Sequence, residues 1–151
     1  MISTLSGHTG LIEDLALINN GNLLASSSDD SNVFIWDLTT YTRKFTLTGH
    51  GSYVYGLKLV SNDILASGSV DYNIKLWNIT SGNLIRTIAA SGKIYLSVDM
   101  LNDAITLVSG SYDQKIKMWN MNNGSLLNTI NTGVLIQTLT ILNITDTSTS
   151  T

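Results

Sequence analysis

Ser26, Asp30 and His8 are side chains from which a hydrolytic site could be built. A serine nucleophile needs an imidazole to take its proton and a carboxylate to orient that imidazole. The stretch SSSDDSNVFIWD, residues 26–37, brings the serine and the carboxylate close together, and His8 stands upstream. A working triad also needs a unique constellation, an oxyanion hole and an open pocket. The elements around these residues decide whether they are chemical or architectural.

Composition narrows the choices. The chain has 151 residues, 43% of them apolar and only 13% charged, with a net charge of −3. That is the composition of a globular chain, and no basic stripe offers the electrostatic footprint of a nucleic-acid binder. There are no cysteines and two histidines, so no thiolate metal site is available and two lone imidazoles do not make one. The glycines lie scattered at turns rather than in a phosphate-binding loop. Asp29-Asp30 reads as a solvated turn rather than a calcium ligand set. No cofactor is expected. The start lacks the basic and apolar pattern of a signal peptide, and no apolar run approaches the ~18 residues of a membrane helix. The expected setting is intracellular, the cytoplasm first with the nucleus left open.

The stretch repeats. SGSVDYNIKLWN (67–78) and SGSYDQKIKMWN (109–120) align with it without a gap. Asp30, Asp71 and Asp113 fall in one column, and Trp36, Trp77 and Trp119 in another, at spacings of 41 and 42. Upstream, SGHTGLIEDLAL (6–17) matches TGHGSYVYGLKL (48–59), with ASGKIYLSVDM (90–100) a degenerate third copy. Each repeat predicts four short strands separated by turn signals, and no segment sustains a helical period. Four strands per ~42-residue repeat is the pattern of a β-propeller blade.

The chain resembles the WD40-repeat family. Gly7-His8 and Gly49-His50, the three Ser-x-x-x-Asp columns and the Trp-Asp or Trp-Asn pairs at 36–37, 77–78 and 119–120 carry the likeness. It implies an all-β fold of four-stranded antiparallel blades over residues 1–143, with repeats at 6–47, 48–89 and 90–130, a partial fourth at 131–143, and a polar tail at 144–151. It also implies that His, Ser, Asp and Trp form a structural hydrogen-bond network in each blade. The matching residues are His8, Ser26, Asp30 and Trp36, then His50, Ser67, Asp71 and Trp77. The third set is Ser109, Asp113 and Trp119, with no histidine, so a weaker network is expected there. Asp113→Ala is expected to cost less than Asp71→Ala.

Repetition at the blade period argues for architecture over catalysis. The function implied is a non-catalytic protein–protein interaction scaffold, read as a fragment of a longer propeller, since strand counting leaves the last blade incomplete. The opening ISTLS is expected to be an outer strand, and an open arc would bare a blade face. The alternative is a segment that closes by homo- or hetero-oligomerisation; a propeller hydrolase using Ser26, His8 and Asp30 comes third. Partners are expected to be other proteins or peptides, further blades or a second copy, and neither nucleic acid nor membrane. The rim candidates are Leu11, Asp29, Tyr53, Val70, Ile94 and Tyr112, which change from repeat to repeat beside the constant Asp and Trp columns.

Overall fold

The computed structural model describes residues 3–90, 98–101 and 103–136. Twelve strands run through them: β1 (Ile12–Ile18), β2 (Leu23–Ser28), β3 (Val33–Asp37), β4 (Thr42–Leu47), β5 (Val54–Ser61), β6 (Ile64–Ser69), β7 (Asn73–Asn78), β8 (Asn83–Ala89), β9 (Val98–Met100), β10 (Thr106–Gly110), β11 (Lys115–Asn120) and β12 (Leu126–Asn131). They form three four-stranded sheets, in which chain neighbours pair antiparallel: β1 to β4, β5 to β8 and β9 to β12. Among the described residues the three blades do not close a ring. Ile94, the partial repeat beyond residue 136 and the polar tail lie outside the described residues.

Local chemistry repeats with the fold. The second strand of each blade and the third strand of the first two are largely buried on both faces, which suits the small and apolar runs of β2, β3, β6 and β10, while β11 fully buries only Lys117 and Trp119. The turn joining them holds one residue in the left-handed region: Ser31, Tyr72 and Gln114, at φ of 69°, 68° and 64°. The residue after each tryptophan closes the next turn. Asp37, Asn78 and Asn120 accept the backbone N–H two residues on, at 2.8, 2.9 and 2.9 Å. Gly82 and Gly124 then take φ 77° at no steric cost, where Tyr41 must take 56°. A register shift precedes each tryptophan in its pairing with the outer strand.

Blades stack face to face. Val33, Ile35 and Leu47 of the first blade pack against Leu57, Leu65 and Trp77 of the second. Ala66, Ile74, Leu76 and Ile88 of the second pack against Val98, Leu107 and Trp119 of the third. Polar links cross the same seams: the Leu57 N–H donates to Asp14 Oδ2 at 2.8 Å, and Lys58 Nζ meets Asp99 Oδ1 at 2.7 Å. Among the described residues, two faces have no blade against them. Leu15 is 57% exposed where its equivalent Leu57 is 8%, and Ile130 is 43% exposed where Leu47 and Ile88 are 1% and 2%. One expectation fails here. Residues 3–6, the described part of the opening segment, form no strand: a ladder needs a partner backbone, and among the described residues none pairs with them.

Candidate functional site

The serine, histidine, aspartate and tryptophan of the first two blades meet. In the first, His8 Nδ1 lies 2.8 Å from Asp30 Oδ2, His8 Nε2 lies 2.8 Å from Ser26 Oγ, and Trp36 Nε1 donates to Ser26 Oγ at 2.8 Å. In the second, His50 Nδ1 to Asp71 Oδ2 and Nε2 to Ser67 Oγ are both 2.8 Å, and Trp77 Nε1 donates to Ser67 Oγ at 2.7 Å. The upstream loop closes on the same carboxylates, through the Thr9 N–H at 3.0 Å and the Gly51 N–H at 2.8 Å. Phe34 stacks on His8 with ring centroids 3.8 Å apart. Three points of each blade are thereby tied: the entry loop, the second strand and the third.

The polarity of the second chain of bonds follows from the chemistry of its ends. An indole N–H can only donate and a carboxylate can only accept. With a neutral imidazole, Trp77 donates to Ser67, the Ser67 hydroxyl donates to Nε2, and Nδ1–H donates to Asp71. Burial pulls His50 below its ordinary pKa; the Asp71 carboxylate opposes this and Lys75 adds to it. Burial pushes the Asp71 carboxyl up, but the Gly51 N–H, the His50 imidazole and the Asn73 N–H outweigh it and hold it below the usual range. The connectivity is that of a triad, yet Ser26 is 1% exposed and Ser67 0%, and each hydroxyl already has a donor and an acceptor. An attacking oxygen would have to give up both.

A pH dependence follows. The unfolded chain takes up a proton on this histidine below about pH 6.5, where the folded chain resists it. Stability contributed by neutral His50 is therefore lost as pH falls through that value. The depressed carboxylates act lower, their contribution vanishing only below about pH 4. Denaturant titrations between pH 7.5 and 5 should show stability falling by up to about 1.4 kcal/mol per pH unit for one proton. His50→Gln should flatten that slope; an unchanged slope would place the proton elsewhere.

The third blade solves the missing histidine differently. Trp119 Nε1 donates to Ser109 Oγ at 2.9 Å, as in the other blades. Asp113 is met by Lys117, whose Nζ donates to Asp113 Oδ2 at 2.9 Å and to the Ala90 carbonyl at 2.7 Å. Burial pushes Asp113 up, but the Lys117 ammonium and the Ser111 hydroxyl bring it below its ordinary value. The third aspartate is thus not left without a cationic or imidazole donor: Lys117 meets it where the histidine is missing and adds a tie to the end of the preceding blade. Sequence reasoning also missed Ser28, Ser69 and Ser111, whose hydroxyls accept the N–H of Asp30, Asp71 and Asp113 at 3.1, 3.1 and 3.2 Å. Their signal was in plain view, a second serine two residues after the first in every repeat.

The rim candidates lie at the strand ends carrying these turns. The Asp29 N–H donates to the Leu11 carbonyl and the Val70 N–H to the Tyr53 carbonyl, both at 3.0 Å, so each of the first two blades pairs an entry residue with a turn residue. Leu11 is 71% exposed, Tyr53 48% and Tyr112 46%, while Asp29 and Val70 are half-buried. Tyr53 also packs edge-on against Tyr55. Beside Asp29, burial and then that carboxylate raise Glu13 above its ordinary pKa. Among the described residues no group of three potential ligands could hold a metal ion, and no helix is long and apolar enough to cross a membrane.

Known proteins place this architecture. A subunit of mouse chromatin assembly factor 1 is 35% identical over 57 residues, which are 38% of this chain and 10% of that protein. The solved structure of U3-55K superposes with a TM-score of 0.76 at 23% identity, over 83% of this chain and 41% of that one. The chain therefore spans well under half the length of either protein. The family described as WD domain, G-beta repeat matches residues 1–37, 41–78 and 82–120. With three copies of its repeat covering most of the sequence, each ending on the third strand of a blade, the chain belongs to the WD40 family.

Proposed function

We propose that the chain is a non-catalytic scaffold that binds other proteins or peptides through the rim formed by Leu11, Asp29, Tyr53, Val70 and Tyr112. The observation that carries this is a division of labour. The network serines, histidines, aspartates and tryptophans are spent on bonds inside each blade, while the rim residues differ from blade to blade and Leu11, Tyr53 and Tyr112 among them are exposed. Tyrosine suits a rim because it offers a rigid apolar face and one polar tip. A net charge of −3 with no basic stripe supports protein over nucleic acid as the partner. The setting we infer is intracellular; the name of the chromatin assembly factor favours the nucleus over the cytoplasm first expected from the sequence.

Residues 1–143 form, in this reading, a segment of a longer propeller, with a polar tail after them. The bare faces support it. On the first blade the inner strand is open at Leu15 and Leu17, while Trp36 further out is 4% exposed. On the third, Val108 is 3% exposed and Ile136 crowds Gly110, while Ile130 on the outer strand is open. An open inner strip and an open outer strip fit each other poorly, so further blades account for them better than a second copy docked head to tail.

Tyr53→Ala with Tyr112→Ala tests the rim. Affinity capture from a cell lysate should retain proteins on the wild type that the double variant loses about tenfold or more, as removal of two aromatic anchors implies. Near-UV circular dichroism from the tryptophans should be unchanged. Loss of the folded signal would make these tyrosines core residues. Esterase or peptidase turnover abolished by Ser26→Ala in a folded chain would overturn the scaffold itself.

A further inference from the structure

The chain contains two Asn-Gly pairs, Asn20-Gly21 in the loop after β1 and Asn123-Gly124 in the loop after β11, each preceded by a further asparagine. Asparagine before glycine readily loses its side-chain nitrogen, because no Cβ shields the backbone nitrogen that attacks. The attack requires the peptide unit after the asparagine to rotate until its nitrogen faces the side-chain carbon. A peptide held at both ends therefore reacts slowly. Asn20 and Asn123 are both exposed, so exposure does not separate them. Other exposed asparagines, such as Asn83, Asn122 and Asn131, precede residues that carry a side chain.

The Asn123–Gly124 unit is tied at both ends. Its N–H, on Gly124, donates to the Asn120 carbonyl at 2.7 Å. Its carbonyl, on Asn123, accepts from Arg86 Nη1 of the preceding blade at 3.2 Å, and Arg86 Nη2 donates to the Asn122 carbonyl at 2.8 Å. The side chain is engaged too, since Asn123 Oδ1 accepts the Ser125 N–H at 2.9 Å. A Cβ on Gly124 would lie 3.3 Å from Arg86 Cδ. Around Asn20-Gly21 these ties are missing. Among the described residues the Asn20 carboxamide makes no hydrogen bond, and the peptide unit makes none outside its own turn. A Cβ on Gly21 would meet nothing within 4 Å. Asn20 sits at φ 53° and ψ 31°, in the left-handed region, so the backbone's own preference does not oppose rotation out of it.

We propose that Asn20 is a site of spontaneous deamidation, and that Arg86 and the turn bonds protect Asn123 from the same reaction. The Gly21 nitrogen attacks Asn20 Cγ and forms the ring bond of a succinimide. The Cγ–Nδ2 bond breaks, and Nδ2 leaves as ammonia with the proton that the Gly21 nitrogen gives up. Water then opens the ring at one of its two carbonyls, which yields aspartate or isoaspartate; no electrons are exchanged. Either product adds one negative charge to a net charge of −3. The isoaspartyl product also inserts a methylene into the main chain of the loop joining β1 to β2. This loop lies at the strand ends away from the rim, so the reaction is independent of partner binding there.

The test incubates the whole chain at physiological temperature and mildly alkaline pH. Both sites are followed by peptide mass spectrometry, with aspartyl and isoaspartyl products separated by chromatography. Asn20 should convert at least about tenfold faster than Asn123, because rotating the second peptide forfeits hydrogen bonds that the first does not have. In urea the two rates should converge, since both sites read Asn-Asn-Gly once the fold is gone. Arg86→Ala should speed conversion at Asn123 and leave Asn20 unchanged, with the tryptophan circular dichroism unaltered. The comparison of the two sites within the wild type needs no variant, so it stands even if that substitution unfolds the chain. Equal rates in the folded chain, faster conversion at Asn123, a gap that persists in urea, or an unchanged Asn123 rate in the folded Arg86→Ala variant would each overturn the proposal.

Discussion

Asp71→Ala should destabilise the chain by about 3 kcal/mol, a large part of the ~5–15 kcal/mol that a domain has in total. The carboxylate accepts three bonds: from His50 Nδ1 at 2.8 Å, from the Gly51 N–H at 2.8 Å and from the Asn73 N–H at 2.9 Å. Gly51 lies at an exposed turn, so water can take over its bond. His50 has no such recourse, because its side chain is 1% exposed. A stranded buried donor costs about 1–3 kcal/mol, and the lost bonds were charge-assisted. The damage spreads along the chain of bonds, since a tilted imidazole also releases the Ser67 hydroxyl. Asp71→Asn keeps one acceptor oxygen and should fall between wild type and alanine. Urea titrations followed by tryptophan fluorescence measure all three. A loss below about 0.5 kcal/mol for the alanine variant would mean that the network orders the blade without stabilising it.

Repetition made most of this legible in the sequence. Three aligned copies let each column be read three times, so the strands and the Asp and Trp columns could be placed where a single copy would have been ambiguous. What stayed hidden depends on tertiary neighbours. Phe34, Lys75 and Lys117 occupy one column but do three jobs. Phe34 stacks on His8, Lys75 donates to Thr87 Oγ1 at 2.9 Å, and Lys117 holds Asp113. Nothing in residue type separates Lys75 from Lys117; the difference is whether a histidine already serves the aspartate. Residues 3–6 mislead for a related reason. A short apolar-polar run reads as a strand, but strand formation also needs a partner backbone, which lies outside the run itself.

Asp113→Ala carries the second large effect, and it should match Asp71→Ala rather than fall below it. The reason is a buried cation. The Lys117 side chain is 7% exposed, and Asp113 supplies its countercharge. Removing that carboxylate leaves the ammonium facing only the Ala90 carbonyl and its other local contacts. Breaking a buried ion pair by deleting one partner costs about 3–5 kcal/mol, because the remaining charge stays desolvated. Asp113 is partly exposed at 23%, which lets some water reach the site and puts the cost near the low end. The same reasoning predicts a reversal. Lys117→Met removes the stranded charge and keeps a side chain that fills the space. The double variant, Asp113→Ala with Lys117→Met, should therefore be more stable than Asp113→Ala alone by about 1–2 kcal/mol, a coupling that the double-mutant cycle isolates. The comparison also separates two accounts of the third blade. If the blade merely lacks a histidine, Asp113→Ala is mild and Lys117→Met adds a further loss. If the lysine replaces the histidine, the first substitution is severe and the second partly repairs it. Additive losses in matched urea titrations would exclude the replacement.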